Sequence, residues 1–288
     1  MATPLSRSVT ITAGDSKLQV SPICVGMTGD PDTVIAAWDA GINFFFLTAD
    51  MHWPLYEKTR QGLVNLAKAR PDAVDQVVIA GCCYTAQPEF QEAPFREVLD
   101  VISPFTKIDI LVAGGSYKAD IKTRLETLRK NVKRGVAKAR AIATSLHDRK
   151  GGIDVVNEGL ADLVFVRYNA QHPGAQLDFF PHLSPTRTTK IFNFKSTSAF
   201  QLPDEFKKMG ADPELWFPSV TDHYRFVMCR PELDGLLTAP QTPKQLEGLV
   251  EAYQAGPLPS DEESHLLALA KLILDDRMSK KATAGGAG

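Results

Sequence analysis

The chain has 288 residues, 44 % hydrophobic and 23 % charged, with 32 basic residues against 34 acidic ones and a net charge of −2. So even a balance carries no basic footprint for nucleic acid or an anionic membrane, and no apolar run reaches the ~20 residues that span a bilayer. The opening "MATPLSRSVTIT" lacks the apolar core of a secretory signal, and Cys24, Cys82, Cys83 and Cys229 fit neither a disulfide framework nor a zinc knuckle; a reduced, cytoplasmic location is expected.

"SVTITAGDSKLQV" reads as an opening hairpin. Compact β-rich runs then follow at 23–26, 44–48, 77–80, 108–113, 141–144, 163–168, 190–194 and 235–238. Most are continuously apolar, as strands covered on both faces should be. Amphipathic stretches separate them: 56–69 puts Leu63, Leu66 and Ala67 on one face, and 121–132 does the same with Leu125, Leu128 and Val132. Pro54 stands where a helix start tolerates its missing N–H. The basic run 130–140 carries Val132, Val136 and Ala137 at helical spacing and reads as a solvated helix face. "SDEE", 260–263, reads as a capping box opening a final helix that ends near Met278. Eight strands alternating with helices predict a (β/α)8 TIM barrel with an N-terminal β-hairpin and a C-terminal extra helix, one domain over 1–278. The tail 279–288, "SKKATAGGAG", has a disordered composition.

Taken in order, these segments resemble the aldo-keto reductases. "SKLQVSPICVGM" is similar to that family's opening hairpin and first strand, and "AWDAGINFF…TAD" to its second unit. "VVIAG", "FTKIDILVAG", "KARAIATSLHD" and "ADLVFVRYNAQHPGA" follow as the third to sixth strands. "FVMCRPELDGLLTAPQTPKQLEGLVEAY" resembles the last helix–strand–helix. The resemblance implies NADPH-dependent carbonyl reduction at the C-terminal mouth, with a Tyr proton donor supported by Asp, Lys and His. The slots for those four residues hold Leu47 (or Phe46, counting from Gly41), His52 (or Met51), Cys82 and Gly114. At the cofactor positions stand Ser145-Leu146, Phe165, Ala239 and Gln241, with Lys244 nearby; Phe194 takes the place of the ring that stacks on nicotinamide. NADP(H) is thus implied by the resemblance while its binding positions are altered.

The strand ends at the expected mouth still carry chemistry. Asp50, His52 and Trp53 follow the second strand, and Cys82, Cys83 and Tyr84 the third. Ser145, His147 and Asp148 follow the fifth, Tyr168, Asn169 and His172 the sixth, and Phe194 and Lys195 the seventh. His52 has the proton affinity for general acid/base work at neutral pH, or it packs on Trp53. Asp50 orients His52 or caps the helix after Pro54. Cys82 and Cys83 offer a nucleophile, given a cation that lowers a thiol pKa, or are buried apolar thiols. His147, His172 and His182, with His52 and Asp50, could ligate a divalent metal, though no two have metal-ligand spacing. His223 and His265 read as superficial helix residues.

Three readings stay open. The first is an enzyme on the inherited barrel performing acid/base elimination, isomerisation or cyclisation of a small molecule with His52, Asp50, Cys82 and Tyr84, its pocket drawn from Trp53, Cys83, Ser145, His147, Tyr168, Asn169, Phe194 and Lys195. The second is an NAD(P)H oxidoreductase using unusual residues. The third is a non-catalytic binding or scaffold protein.

Overall fold

The computed structural model describes residues 3–49, 54–117 and 119–285. The chain opens with an antiparallel hairpin, β1 (Val9–Ala13) and β2 (Ser16–Val20), turned at Gly14 with φ 57°. Eight further strands follow: β3 (Ile23–Val25), β4 (Phe44–Thr48), β5 (Val78–Cys83), β6 (Ile110–Ser116), β7 (Ala141–Leu146), β8 (Leu163–Arg167), β9 (Lys190–Phe194) and β10 (Gly235–Thr238). All are parallel and close into a barrel, β10 pairing with β3 through Leu236 opposite Ile23. The TIM-barrel architecture read from the sequence is the architecture found. β5 and β6 run on to Cys83 and Ser116, past the apolar runs that announce them.

Alternate side chains along each strand point to opposite faces, and two cores result. Cys24, Phe44, Phe46, Cys82, Val112, Phe165 and Phe192 face the barrel interior, where Val9, Ile11, Leu18 and Val20 of the hairpin join them. Phe45, Leu47, Ile79, Cys83, Leu111 and Val166 face the helices, packing with Leu63 and Leu66 of Glu57–Ala69 and Leu125 and Leu128 of Ile121–Lys133.

The N-terminal end of the barrel is tied by one device repeated at every second strand. Asn43, immediately before β4, accepts from the Ser21 backbone N–H at 2.9 Å. Asp109 before β6 accepts from Ile79 N at 3.0 Å, Asp162 before β8 from Ile142 N at 2.8 Å, and Asp234 before β10 from Ile191 N at 2.9 Å. Each side chain takes the first free amide of the strand beside it, a donor that would otherwise be buried unpaired. The three carboxylates are also paired with Arg140, Arg129 and Lys190 at 2.5, 2.9 and 2.8 Å. These three carboxylates are thus committed to the end of the barrel opposite its mouth.

The helical layer departs from the sequence reading in three places. The last helix, Ser260–Gly285, continues past Met278 into the compositional tail. Its first turn is not a capping box: Glu263 N donates to the Pro259 carbonyl, and the Glu263 carboxylate is held by Arg230. A capping box does form at Ser219 and Asp222, opening the helix Val220–Met228. Among the described residues, no helix is long and apolar enough to cross a membrane.

His223 in that helix is not superficial, as its polar neighbours suggest. It is 1 % exposed, neither ring nitrogen has a partner, and the ring meets Phe200 edge-on at 5.9 Å. Burial pushes its pKa down to about 4, with Asp222 opposing weakly. The folded state therefore refuses a proton that the unfolded chain accepts below pH ~6.5. Stability should be complete above that pH and fall by about 3 kcal/mol as pH drops to 4. Urea unfolding at pH 7.5 and 4.5, compared with His223→Phe, checks this: the variant should lose that part of the pH dependence.

Candidate functional site

A cavity of about 620 Å3 opens at the C-terminal end of the barrel. Its floor and walls are apolar and aromatic: Phe46, Tyr56, Phe165, Phe194 and Leu237. Phe46 meets Tyr56 at 6.1 Å and Phe165 at 5.3 Å between ring centroids. Polar groups come from Tyr84, Ser145, His147, Thr238 and the turn after β9, Lys195 to Ser198. Among the described lining residues, none is acidic.

Glycine at 114 and 115 makes this arrangement. A Cβ on Gly114 would lie 2.5 Å from Cys82 Sγ and 2.8 Å from Cδ1 and Cε1 of Tyr84. The tyrosine ring therefore lies in the volume that a side chain at 114 would fill. Gly115 has φ 64°, and a Cβ there would be 3.7 Å from Tyr84 Cδ1 and 4.0 Å from His147 Cδ2. Tyr84 and His147 thus both approach the Cβ position of Gly115. Gly114→Ala should cost about 1–3 kcal/mol through overpacking and push the Tyr84 ring out of place; a lowered melting temperature together with altered ligand affinity checks it.

The environments of these groups pull their proton affinities apart. Although 41 % of Tyr84 is exposed, its hydroxyl is beside the buried Cys82 thiol. Burial first, then Cys82 and Tyr56, hold the Tyr84 phenol well above its ordinary pKa. Burial, with Cys82 and Cys24, does the same for Tyr56. Both hydroxyls stay protonated at neutral pH. His147 is shifted the other way, by burial first and then by Arg167 and Lys195, so its imidazole is neutral.

Of the candidates read from sequence, Tyr84, Ser145, His147, Phe194 and Lys195 come together in the cavity. Asp50, His52 and Trp53 lie outside the described residues. Leu47 faces the helices, so the inward position at the level of the acid slot belongs to Phe46. Cys82 is 0 % exposed and burial pushes its thiol up to about 12, which makes it a packing group rather than an activated nucleophile. Cys83 points into the helical layer, because successive strand residues alternate faces. Tyr168 is also outside the cavity, stacked on Phe226 at 5.5 Å with its hydroxyl bonded to Gln176. Asn169 is buried and structural, donating to the Lys195 carbonyl at 2.8 Å and accepting from His172 N at 2.9 Å. His147 and His172 both feel the charges of Arg167 and Lys195, a poor setting for a cation, and the His182 carbonyl is taken by Asn157. Among the described residues, no group of three His, Cys, Asp or Glu side chains is placed to hold a metal ion. Tyr56, which the sequence reading passed over as a helix residue, enters the cavity from the turn Pro54–Tyr56; the proline at the head of that turn is the signal that could have marked it.

The nicotinamide dinucleotide implied by the resemblance is poorly matched at both ends. Phe165 is an apolar wall where a carboxamide grip is needed. The Gln241 amide is turned back on the Ala239 carbonyl at 2.8 Å, and its side chain packs against Gly29. Lys244 is exposed on the following helix, Pro243–Ala255. These residues do not fit the group.

No family model matches the sequence, and no curated protein does. Solved structures do match. The chain is similar to the aldo-keto reductase AKR11C1 from Bacillus halodurans in its holo form, with TM-score 0.66 and 17 % identity, over 91 % of this chain and 96 % of that one. It is similar to the glycerol dehydrogenase AKR11B4 from Gluconobacter oxydans, with TM-score 0.61 and 15 % identity, over 92 % and 94 %. A thermostable aldo-keto reductase, Tm1743, solved with the inhibitor epalrestat, matches with TM-score 0.64 and 12 % identity, over 91 % and 99 %. At these identities the likeness establishes a shared fold.

Proposed function

We propose that this chain, folded as an aldo-keto reductase barrel, is an enzyme that moves protons on a small carbonyl compound without transferring hydride. The reaction class is isomerisation or elimination, begun by removing a proton from the carbon beside the carbonyl. One observation carries the reading. Tyr84 and His147 both approach Gly115 in a single cavity, where at pH 7 one is a protonated phenol and the other a neutral imidazole. Pairs of titratable groups pushed in opposite directions are the mark of assigned acid and base roles.

His147, neutral at pH 7, takes the carbon-bound proton. Negative charge then collects on the carbonyl oxygen, and the Tyr56 and Tyr84 hydroxyls donate hydrogen bonds to it in a site walled by Phe46 and Phe165. The imidazolium of His147 next returns the proton to another carbon or to a leaving group. Fold alone decides none of this, since one fold hosts many chemistries.

The test is to offer carbonyl compounds in D2O with no nucleotide and follow loss of the α-proton signal by NMR. Exchange faster than the buffer rate supports the reading; a full panel with no exchange overturns it. Since the base must be neutral, kcat/KM should rise with pH, level off, and show its inflection below the ordinary histidine value of about 6.5. A profile that falls across that range would assign His147 the opposite role.

A further inference from the structure

We infer that the compound turned over at this mouth is an anion, a carboxylate or a phosphate ester with an apolar body, whose charge docks between Lys195 and Arg167. The inference rests on the reading above and adds the substrate class to it.

The distribution of charge comes first. The described cavity wall holds Lys195 and His147 and no carboxylate. Asp109, Asp162 and Asp234 are tied up at the opposite end of the barrel, each with its own cation. Among the described residues, neither Lys195 nor Arg167 has an acidic side chain within 4.0 Å, whereas Arg129, Arg140, Arg149 and Lys190 all do. A cation lining an apolar cavity, with a second close by and no acidic partner for either among the described residues, sets up a field for an anion.

Arg167 is at the right place to share the work. It closes β8 directly opposite Phe194 of β9, so it adjoins Lys195 across the sheet. It is also two residues beyond the inward-facing Phe165, on the same face of the strand. Both His147 and His172 have their protonation opposed by Arg167 and Lys195, so both cations lie close to the two imidazoles.

The backbone gives an independent sign. Lys195 has φ 61°, a conformation that residues with a Cβ seldom adopt and that collects at ligand clamps. It is held there by a set of polar groups, of which Asn169, Asn193 and Ser196 are buried. Asn169 Nδ2 and Ser198 Oγ donate to the Lys195 carbonyl at 2.8 and 3.1 Å. Asn193, 0 % exposed, donates to the Tyr168 carbonyl and accepts from Ser196 Oγ, both at 2.5 Å. These bonds fix the backbone at Lys195, whose side chain is exposed and lines the cavity. Below it, Phe46, Phe165 and Phe194 would take the apolar body, leaving the carbonyl carbon between His147 and Tyr84.

The experiment is calorimetric titration of the full chain with phenyl phosphate and phenylacetate as anionic probes and phenylacetamide as the neutral match. The anions should bind, more weakly as salt is added, and phenylacetamide should not. Lys195→Met and Arg167→Met should each weaken the anions by about tenfold, the share of one charge-assisted hydrogen bond. Lys195→Arg should retain binding, which separates loss of charge from loss of fold. Equal affinity for phenylacetamide, or anion binding unchanged in both Met variants, overturns the inference. So does NADPH displacing phenyl phosphate with the same dependence on Lys195, because the cations would then serve a dinucleotide. Proton exchange on an uncharged carbonyl compound with no anion binding sinks this inference and leaves the proton-transfer reading standing. Anion binding with no exchange on any compound does the reverse.

Discussion

Tyr84→Phe and His147→Ala should each slow turnover by roughly 10²–10³-fold while leaving the melting temperature nearly unchanged. The Tyr84 change removes one oxygen and keeps the ring that fills the space over Gly114, so packing survives and the hydrogen bond to a developing oxyanion is lost. The His147 change removes the base. Because both act on one transition state, the double variant should fall well short of the product of the two single effects. Steady-state kinetics on the three variants checks the pair. Full additivity would mean that they act independently, and an unchanged rate in either variant would remove that residue from the mechanism.

Asp109→Ala and Asp162→Ala should each destabilise the protein by about 2–3 kcal/mol, from a buried amide left without its acceptor and a part-exposed ion pair broken. The cost has two parts in each case. The Ile79 or Ile142 amide is left without an acceptor inside the protein, and Arg140 or Arg129 loses its partner. Asn in place of either Asp should retain much of the amide contact and lose the charge, so the Asn variants should fall between wild type and Ala. Guanidinium unfolding at neutral pH checks the order. The binding of phenyl phosphate by whatever folded fraction remains should be unaltered, since these residues sit at the end of the barrel away from the cavity.

Much of the scaffold could be read from the sequence, because strands covered on both faces appear as unbroken apolar runs whatever their neighbours do. The same property hid the site. In "FFFLT" the first four residues are all apolar, so nothing in the pattern says that Phe46 faces the barrel axis and Leu47 the helices. Cys83 and Tyr168 were drawn to the mouth by their position at strand ends, when alternation turns both outward. His223 sits between Asp222 and Tyr224 and reads as surface, yet it shares its helix face with Phe226 and Val227 and is buried with them. Tyr56 reaches the cavity through a turn whose path no periodicity describes. The sequence carries a further signal: an Asn or Asp stands directly before every second barrel strand, at Asn43, Asp109, Asp162 and Asp234. Its meaning appears only when strand order brings each one beside a neighbouring backbone amide.

Fold and chemistry part company at a few places around the mouth. Gly114 admits the Tyr84 ring, Cys82 is an apolar floor, and Phe46 puts an aromatic ring where the resemblance leads one to expect an acid. On the proposed reading, what the described mouth offers instead is two phenols, an imidazole and Lys195.

The source of the hydrogen that appears on carbon in the product is the most direct test. A compound that the protein turns over should be incubated in D2O with NADPH, and in water with NADPH deuterated at its transferable position, and the product analysed by NMR and mass spectrometry. Proton transfer through His147 predicts deuterium on carbon from the solvent, none from the nucleotide, and the same rate when the nucleotide is left out. Deuterium delivered from the nucleotide to the carbonyl carbon would contradict the account.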